Sequence, residues 1–259
     1  MLQEFSSGVV VIGVLGNFFK CPPAPNEAAF MLDDLLTRRG VRDAVTIHLL
    51  SPLGKPILIS HETSAAIVSS LAERGIHYWP STMVTHLDPG AKVAHLADGR
   101  ELAYDLFLRV PVHVPPPVVV ESGLTDDGWI AVDHATFATK FPDVYAVGDV
   151  TSAPVPRAGV FAEGEAGTVA DVLIARLKGG DPRPPYHGAA VCSMEMGGDI
   201  VRQLTPLLAQ RARAGPTRPS GELRFPAPAS LSSFVRGHVP GTYPVGARRS
   251  GDRRAVQPG

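Results

Sequence analysis

Gly8-Val9-Val10-Val11-Ile12-Gly13 is a continuous apolar run bounded by glycines, the pattern of a strand buried on both faces of a parallel sheet. A loop from Val14 to Pro25 follows and contains Cys21-Pro22-Pro23-Ala24-Pro25. Asn26 then stands where a helix cap belongs, ahead of a helix predicted from about Glu27 to Arg39. Within it Ala28, Met31, Leu32, Leu35 and Leu36 recur at helical spacing, and Gly40 stops it. Ala44 to Leu50 reads as the next strand. Strand, helix and strand in this order form a βαβ unit, so a parallel α/β sheet is expected.

Outward from this unit the pattern continues. Ser60 to Arg74 reads as a second helix closed by Gly75, and Ile76 to Trp79 as a further strand. From Thr82 to Leu106 the alternation predicts a three-strand meander, Met83–Leu87, Ala91–Leu96 and Arg100–Tyr104, with an Asp98-Gly99 turn. Val110 to Val118 is proline-rich and reads as a crossover, and Gly128-Trp129-Ile130-Ala131-Val132 as a strand. Thr139-Lys140-Phe141-Pro142-Asp143-Val144-Tyr145-Ala146-Val147-Gly148-Asp149 carries a turn into a short β-branched and aromatic strand ending in Gly-Asp. Glycine at that end lets the backbone approach a ligand, and the Asp149 carboxylate can accept hydrogen bonds from sugar-like hydroxyls. After a loop from Val150 to Arg157, Ala158-Gly159-Val160-Phe161-Ala162-Glu163-Gly164-Glu165-Ala166 opens a helix running to about Leu177. Beyond Gly179 the periodic signal fades.

The bulk numbers bound the class. With 259 residues and 44% apolar content the chain holds one large domain or two small ones with a real core. A net charge of −1 gives no support to nucleic-acid binding. The charge is uneven: residues 211–259 hold nine Arg against Glu222 and Asp252, a local balance of +7 that leaves −8 on residues 1–210. That tail also has seven Gly and seven Pro, which reads as a disordered, solvated end or as a patch for a membrane surface. Two cysteines are too few for a disulfide-stapled scaffold, and no apolar stretch reaches membrane-spanning length. The chain reads as soluble, either cytoplasmic or peripheral to a membrane. Its nine histidines show no metal spacing; His61, His77, His86 and His95 fall on surface or strand positions, and no metal is expected.

The Gly148-Asp149 motif and the helix after it resemble the second flavin-binding motif of the two-dinucleotide-domain flavoprotein oxidoreductases. Lys20-Cys21-Pro22-Pro23-Ala24-Pro25-Asn26-Glu27-Ala28 resembles the cysteine loop of the sulfide:quinone oxidoreductases and of the flavoprotein subunit of flavocytochrome c sulfide dehydrogenase. Tyr186-His187-Gly188-Ala189-Ala190-Val191-Cys192-Ser193-Met194-Glu195-Met196-Gly197 is similar to the region of their second cysteine. The resemblance covers about residues 8–200. It implies a partial FAD/NAD(P)-binding three-layer ββα sandwich, with a nucleotide-binding-like domain over 6–108 and the second half of an FAD-binding domain over 109–182. A C-terminal segment over 183–259, irregular and disordered from about 211, completes the expectation.

The resemblance further implies FAD as cofactor, bound by Gly148, Asp149, Arg157, Ala158, Gly159 and Phe161. Asp149 would grip the ribityl chain, the helix N-terminus would face the flavin, and Arg157 would stand where the family often has lysine. It also implies that Cys21 and Cys192 form a redox pair: sulfide attacks their disulfide, sulfur is held as a persulfide, and two electrons pass to FAD and then to a quinone or a cytochrome. Cys21 follows Lys20 just before a helix start, which favours it as the low-pKa thiol, with Cys192 as exchange partner. Read from spacing alone, both are unpaired, inert core cysteines. Glu163 and Glu165 read as proton relays or as first-turn acids that complement the helix dipole, and Trp129 as core packing.

Two departures qualify the expectation. Gly13-Val14-Leu15-Gly16 lacks the third glycine of a pyrophosphate-binding turn, and Leu49-Leu50-Ser51-Pro52 offers no acid for a ribose. The simplest account is a chain that starts at the second domain of a larger protein, with its first FAD-binding segment elsewhere and the isolated chain of uncertain activity. The function expected is FAD-dependent sulfide oxidation; an NAD(P)H-dependent flavin reductase and a non-catalytic, partner-binding subunit are the rival readings.

Overall fold

The computed structural model describes residues 2–17, 19–58, 60–125, 128–189, 192–198, 200–204 and 222–224. Met1–Arg224 form one unit; a second, Phe225–Gly259, lies outside the described residues together with most of the basic tail. Along the first unit run β1 (Gly8–Val14), α1 (Ala24–Arg38), β2 (Val45–Leu50), α2 (His61–Glu73) and β3 (Ile76–Trp79). The meander follows as β4 (Val84–Asp88), β5 (Val93–Leu96) and β6 (Glu101–Ala103), and then β7 (Leu106–Val110).

The predicted parallel sheet is present, with strand order β3-β2-β1-β7. Val10 lies opposite Ile47 and Leu106, and Ile12 opposite Leu49 and Leu108. Both faces of the sheet are covered, which is why β1 is apolar throughout rather than alternating. On one face α1 and α2 pack through Phe30, Leu36, Ile67 and Leu71 against Val10, Ile47 and Leu49. On the other, Val11 and Leu50 meet Val84, Ala94 and Leu96 of the meander. Removing a side chain such as Ile47 from water contributes about 1.5–3 kcal/mol. The result is the three-layer ββα arrangement.

Four elements differ from expectation. α1 starts at Ala24, with Pro23 rather than Asn26 at the N-cap position. Pro25 occupies the first turn, where its missing N–H costs nothing, and the amides of Asn26 and Glu27 both donate to the Pro23 carbonyl at 3.0 and 3.1 Å. Asn26 is therefore inside the helix and 4% exposed. β7 forms just ahead of the expected crossover, where no strand was expected, because the free edge of β1 offers a full row of backbone partners.

The two strands expected at Gly128–Val132 and Val144–Val147 are reduced to isolated bridges. Ile130 pairs singly with Thr125 and Thr151, and Ala138 with Tyr145. Their β-branched composition suits a strand, but among the described residues no longer strand lies alongside to pair with them. The crossover carries a short helix, α3 (Pro117–Glu121), and Gly148–Val150 make a single 3₁₀ turn.

α4 (Gly159–Lys178) forms as predicted, with Ala158 at its N-cap. Glycine inside a helix costs about 1 kcal/mol relative to alanine. At Gly164 that cost has a packing reason: a β-carbon there would sit 2.6 Å from the Tyr186 ring. Where the periodic signal faded, β8 (Cys192–Glu195), β9 (Ile200–Leu204) and β10 (Glu222–Arg224) pair in an antiparallel sheet. β8 joins the main core through Met194, 0% exposed, and its Glu195 amide donates to Glu27 Oε2 on α1 at 3.2 Å.

Candidate functional site

The loop between β1 and α1 carries Cys21, and three hydrogen bonds tie it down. Leu15 N donates to the Val110 carbonyl at 3.0 Å, Lys20 N to His113 Nδ1 at 2.8 Å, and Cys21 N to the Arg157 carbonyl at 2.6 Å. Cys21 adopts a left-handed backbone, φ +53°, which a non-glycine residue holds only when its surroundings impose it. Its carbonyl accepts from Ala24 N at 2.8 Å and so leads directly into α1. Cys192 stands at the start of β8, half-buried beside α1. Both are free thiols.

The structure brings the two cysteines into one electrostatic cluster. Protein packed against its inner side pushes the Cys21 thiol above its ordinary pKa, and the negative charges of Cys192, Glu27 and Asp149 push the same way. Cys192 is raised by burial and by Glu27. The expectation that Lys20 lowers the Cys21 pKa is therefore corrected: the Lys20 ammonium turns to Asp149, 3.7 Å away, and burial, then Cys192 and Glu27, set the thiol's pKa upward. Glu27 is itself raised by burial. Sequence reasoning missed it, although it lies six residues after Cys21 in the first turn of α1.

The residues expected to hold a cofactor gather at the start of α4. Gly148 has φ +78°, and a β-carbon there would stand 3.1 Å from that of Ala162. Asp149 follows with its carboxylate about one-third exposed. Arg157 Nε donates to the Asp149 carbonyl at 3.1 Å and Nη2 to the Thr151 carbonyl at 3.4 Å. Its guanidinium lies 4.0 Å over the Trp129 ring, so Trp129 supports the site rather than the core. Ala158 carries no side-chain cap, and Phe161 in the first turn is 3% exposed. A cavity of about 590 Å³ opens beside the start of α4, bounded by Pro22, Trp129, Arg157, Phe161 and Cys192, while Gly148 and Asp149 line a smaller space with Arg157, Ala158 and Phe161.

Glu163 and Glu165 separate. Glu163 is exposed, whereas Glu165 is 1% exposed and accepts from Gly148 N at 2.5 Å. Neither acts as a simple first-turn acid: no acidic residue falls in the first turn of α4. His113 also went unread, since its partner Lys20 is 93 residues away and only the fold joins them.

Residues 26–170, more than half of the chain, match the family of pyridine nucleotide-disulphide oxidoreductases. The chain belongs to that family. Its members are FAD-dependent flavoproteins. Within the family the chain is similar to the mitochondrial sulfide:quinone oxidoreductases of Schizosaccharomyces pombe and Dictyostelium discoideum. The first is 25% identical over 206 residues, covering 76% of this chain and 44% of that protein. The second is 25% identical over 179 residues, covering 67% and 39%. The chain thus spans less than half the length of these relatives.

Among solved structures it superposes on the sulfide:quinone oxidoreductase of Aquifex aeolicus with a TM-score of 0.68 at 20% identity, covering 79% of this chain and 52% of that one. It superposes on LpdA of Mycobacterium tuberculosis with a TM-score of 0.55 at 16% identity, covering 81% and 43%. These likenesses bear out the expected FAD/NAD(P)-binding type of α/β fold. Among the described residues no helix is long and apolar enough to cross a membrane.

Proposed function

We propose that this chain carries the cysteine pair and the ribityl side of the flavin site of an FAD-dependent sulfide oxidoreductase. The observation that carries the reading is the convergence of Cys21, Cys192, Asp149 and the uncapped start of α4 on one region of the molecule. The residues present fit FAD: a positive-φ glycine at the turn, an accessible carboxylate after it, and a helix N-terminus facing the same space. Asp149 would accept hydrogen bonds from the ribityl hydroxyls, and the amides and dipole at the start of α4 would favour negative charge there. Phe161 and Trp129 would exclude water from the cavity. FAD, when bound, supplies a two-electron acceptor.

In the oxidised protein Cys21 and Cys192 would form a disulfide. Hydrosulfide attacks one sulfur, forming a new S–S bond as a persulfide; the Cys21–Cys192 bond breaks, and the other cysteine leaves as a thiolate. Sulfide sulfur is thereby oxidised and the cysteine pair reduced by two electrons. Glu27, whose negative charge bears on both thiols, would favour keeping their protons in place. The pyrophosphate half of the FAD site, for which Gly13-Val14-Leu15-Gly16 is incomplete, would lie on a segment outside this sequence. Quinone, the acceptor in the relatives' names, would be the acceptor of the complete protein.

The test is anaerobic visible absorbance of the purified chain with FAD added, before and after sulfide. Bleaching of the oxidised-flavin band, lost in both Cys21→Ser and Cys192→Ser, is the expected result. FAD that binds but does not bleach with sulfide, or that bleaches equally in both serine variants, overturns the reading.

A further inference from the structure

Glu165 is a charged residue in an enclosed place. It lies in the second turn of α4, 1% exposed, and points back across the helix to the Gly148–Val150 turn. Its Oε2 accepts the Gly148 amide, a hydrogen bond that the charge of an ionised carboxylate strengthens. The turn is also held through its carbonyls and its carboxylate: Thr151 N and Oγ1 donate to the Gly148 carbonyl at 3.0 and 2.9 Å, Arg157 Nε to that of Asp149, Ile130 N to that of Val150 at 2.9 Å, and Lys20 pairs with the Asp149 carboxylate. Among the described residues Glu165 is the partner of the Gly148 N–H, and that bond ties the turn carrying Asp149 to α4.

We propose that Glu165 is the positioning residue that locks the Gly148-Asp149 turn onto α4 and makes the setting of Asp149 sensitive to protonation. The inference deepens the flavin reading above and rests on it for its functional meaning. The geometry supplies the coupling. Two titratable groups face Glu165: Asp149 from the turn, and Tyr186 from the segment that crosses α4 at Gly164. Arg157 lines the same small cavity as Glu165 and Asp149. Burial, and then the Asp149 charge, favour the neutral acid, while the Gly148 amide favours the carboxylate; the net shift is upward. Ionisation strengthens the acceptor for Gly148 N but sets two carboxylates side by side. The turn is thus held most firmly where Glu165 is charged, and Asp149 is then under the greatest repulsion.

The test uses the full ¹⁵N-labelled chain, with Glu165→Gln keeping an acceptor and Glu165→Ala removing it. In the wild type the Gly148 amide resonance is expected to move with pH, with a midpoint above the ordinary glutamate value, and to stay fixed in Glu165→Gln. Its hydrogen exchange is expected to be within about threefold of wild type in Glu165→Gln and about tenfold or more faster in Glu165→Ala, as loss of a hydrogen bond to a charged group implies. A Gly148 amide insensitive to pH, or unchanged exchange in Glu165→Ala, overturns the proposal. Should Glu165→Ala fail to fold, the wild-type and Glu165→Gln titrations decide alone. FAD added to the same samples separates the two readings. A wild type that binds no FAD bears on the flavin reading alone and leaves the Gly148 titration decisive for Glu165. Equal FAD binding by wild type and a folded Glu165→Ala overturns the functional part of the inference.

Discussion

Residues 8–110 and residues 111–178 are built on different terms. The first stretch is a closed system: four parallel strands, two helices on one face and a meander on the other, with every layer buried against the next. The second holds most of the candidate cofactor residues and has almost no ladder of its own. Single bridges at Ile130 and Tyr145 stand where strands were expected, and the chain is held by side chains: Arg157 on Asp149, Thr151 and Trp129, and Glu165 on Gly148. Where a repeating backbone ladder is available, apolar pattern alone sets the structure. Where it is not, individual polar contacts set it, and those same contacts shape the site.

The largest effect tests the first region. Ile47→Ala, at a fully buried position between β1 and β3, is expected to cost about 2–5 kcal/mol in urea denaturation. If the second region draws its order from the first, amide protection of α4 should fall with that of the sheet; protection retained only in α4 would contradict it.

A paired substitution within α4 sharpens the contrast. Gly164→Ala gains helix propensity but places a methyl 2.6 Å from the Tyr186 ring, and a net loss of about 1–3 kcal/mol is expected. Gly167→Ala meets nothing within 4 Å and should stabilise by about 0.5–1 kcal/mol. Thermal unfolding of the pair measures the difference, and equal shifts would mean that Tyr186 does not pack on the helix.

The smallest effect concerns the thiols. With its pKa raised, Cys21 has less thiolate at neutral pH than a free cysteine, so its alkylation should be slow at pH 7 and climb through a midpoint above the ordinary thiol value. Glu27→Gln removes a negative neighbour and should move that midpoint down, speeding alkylation at pH 8 by about two- to tenfold, a shift of up to one pKa unit. An unchanged or higher midpoint would remove Glu27 from the cluster.

The comparison also explains what the sequence made legible. β1, α1, β2, α2, β3 and the meander follow local periodicity, and α4 announces itself from Ala158 to Leu177. The start of α1 was misplaced because prolines read as loop residues, although the first turn of a helix suits them. β7 sits against the proline-rich crossover, and Arg109 interrupts its apolar run. In the site, Cys21, Cys192, Gly148, Asp149 and Arg157 were legible through resemblance to known motifs. Glu27 meeting Glu195 and Lys20 meeting His113 lie 168 and 93 residues apart, and no window along the chain contains either pair.

The cysteine loop is fastened by two clasps of unlike chemistry. Cys21 N is held by the Arg157 carbonyl, an acceptor at any pH, while Lys20 N is held by an imidazole nitrogen that stops accepting once it is protonated. Burial, Lys20 and Arg157 together keep the His113 pKa below its usual value, outweighing the pull of Asp149. The weaker clasp therefore stays shut further into acid than an ordinary histidine would allow. When it opens, the backbone at Lys20 is released while Leu15 and Cys21 keep their carbonyl anchors, so acid changes the approach to the sulfur before it moves the sulfur itself.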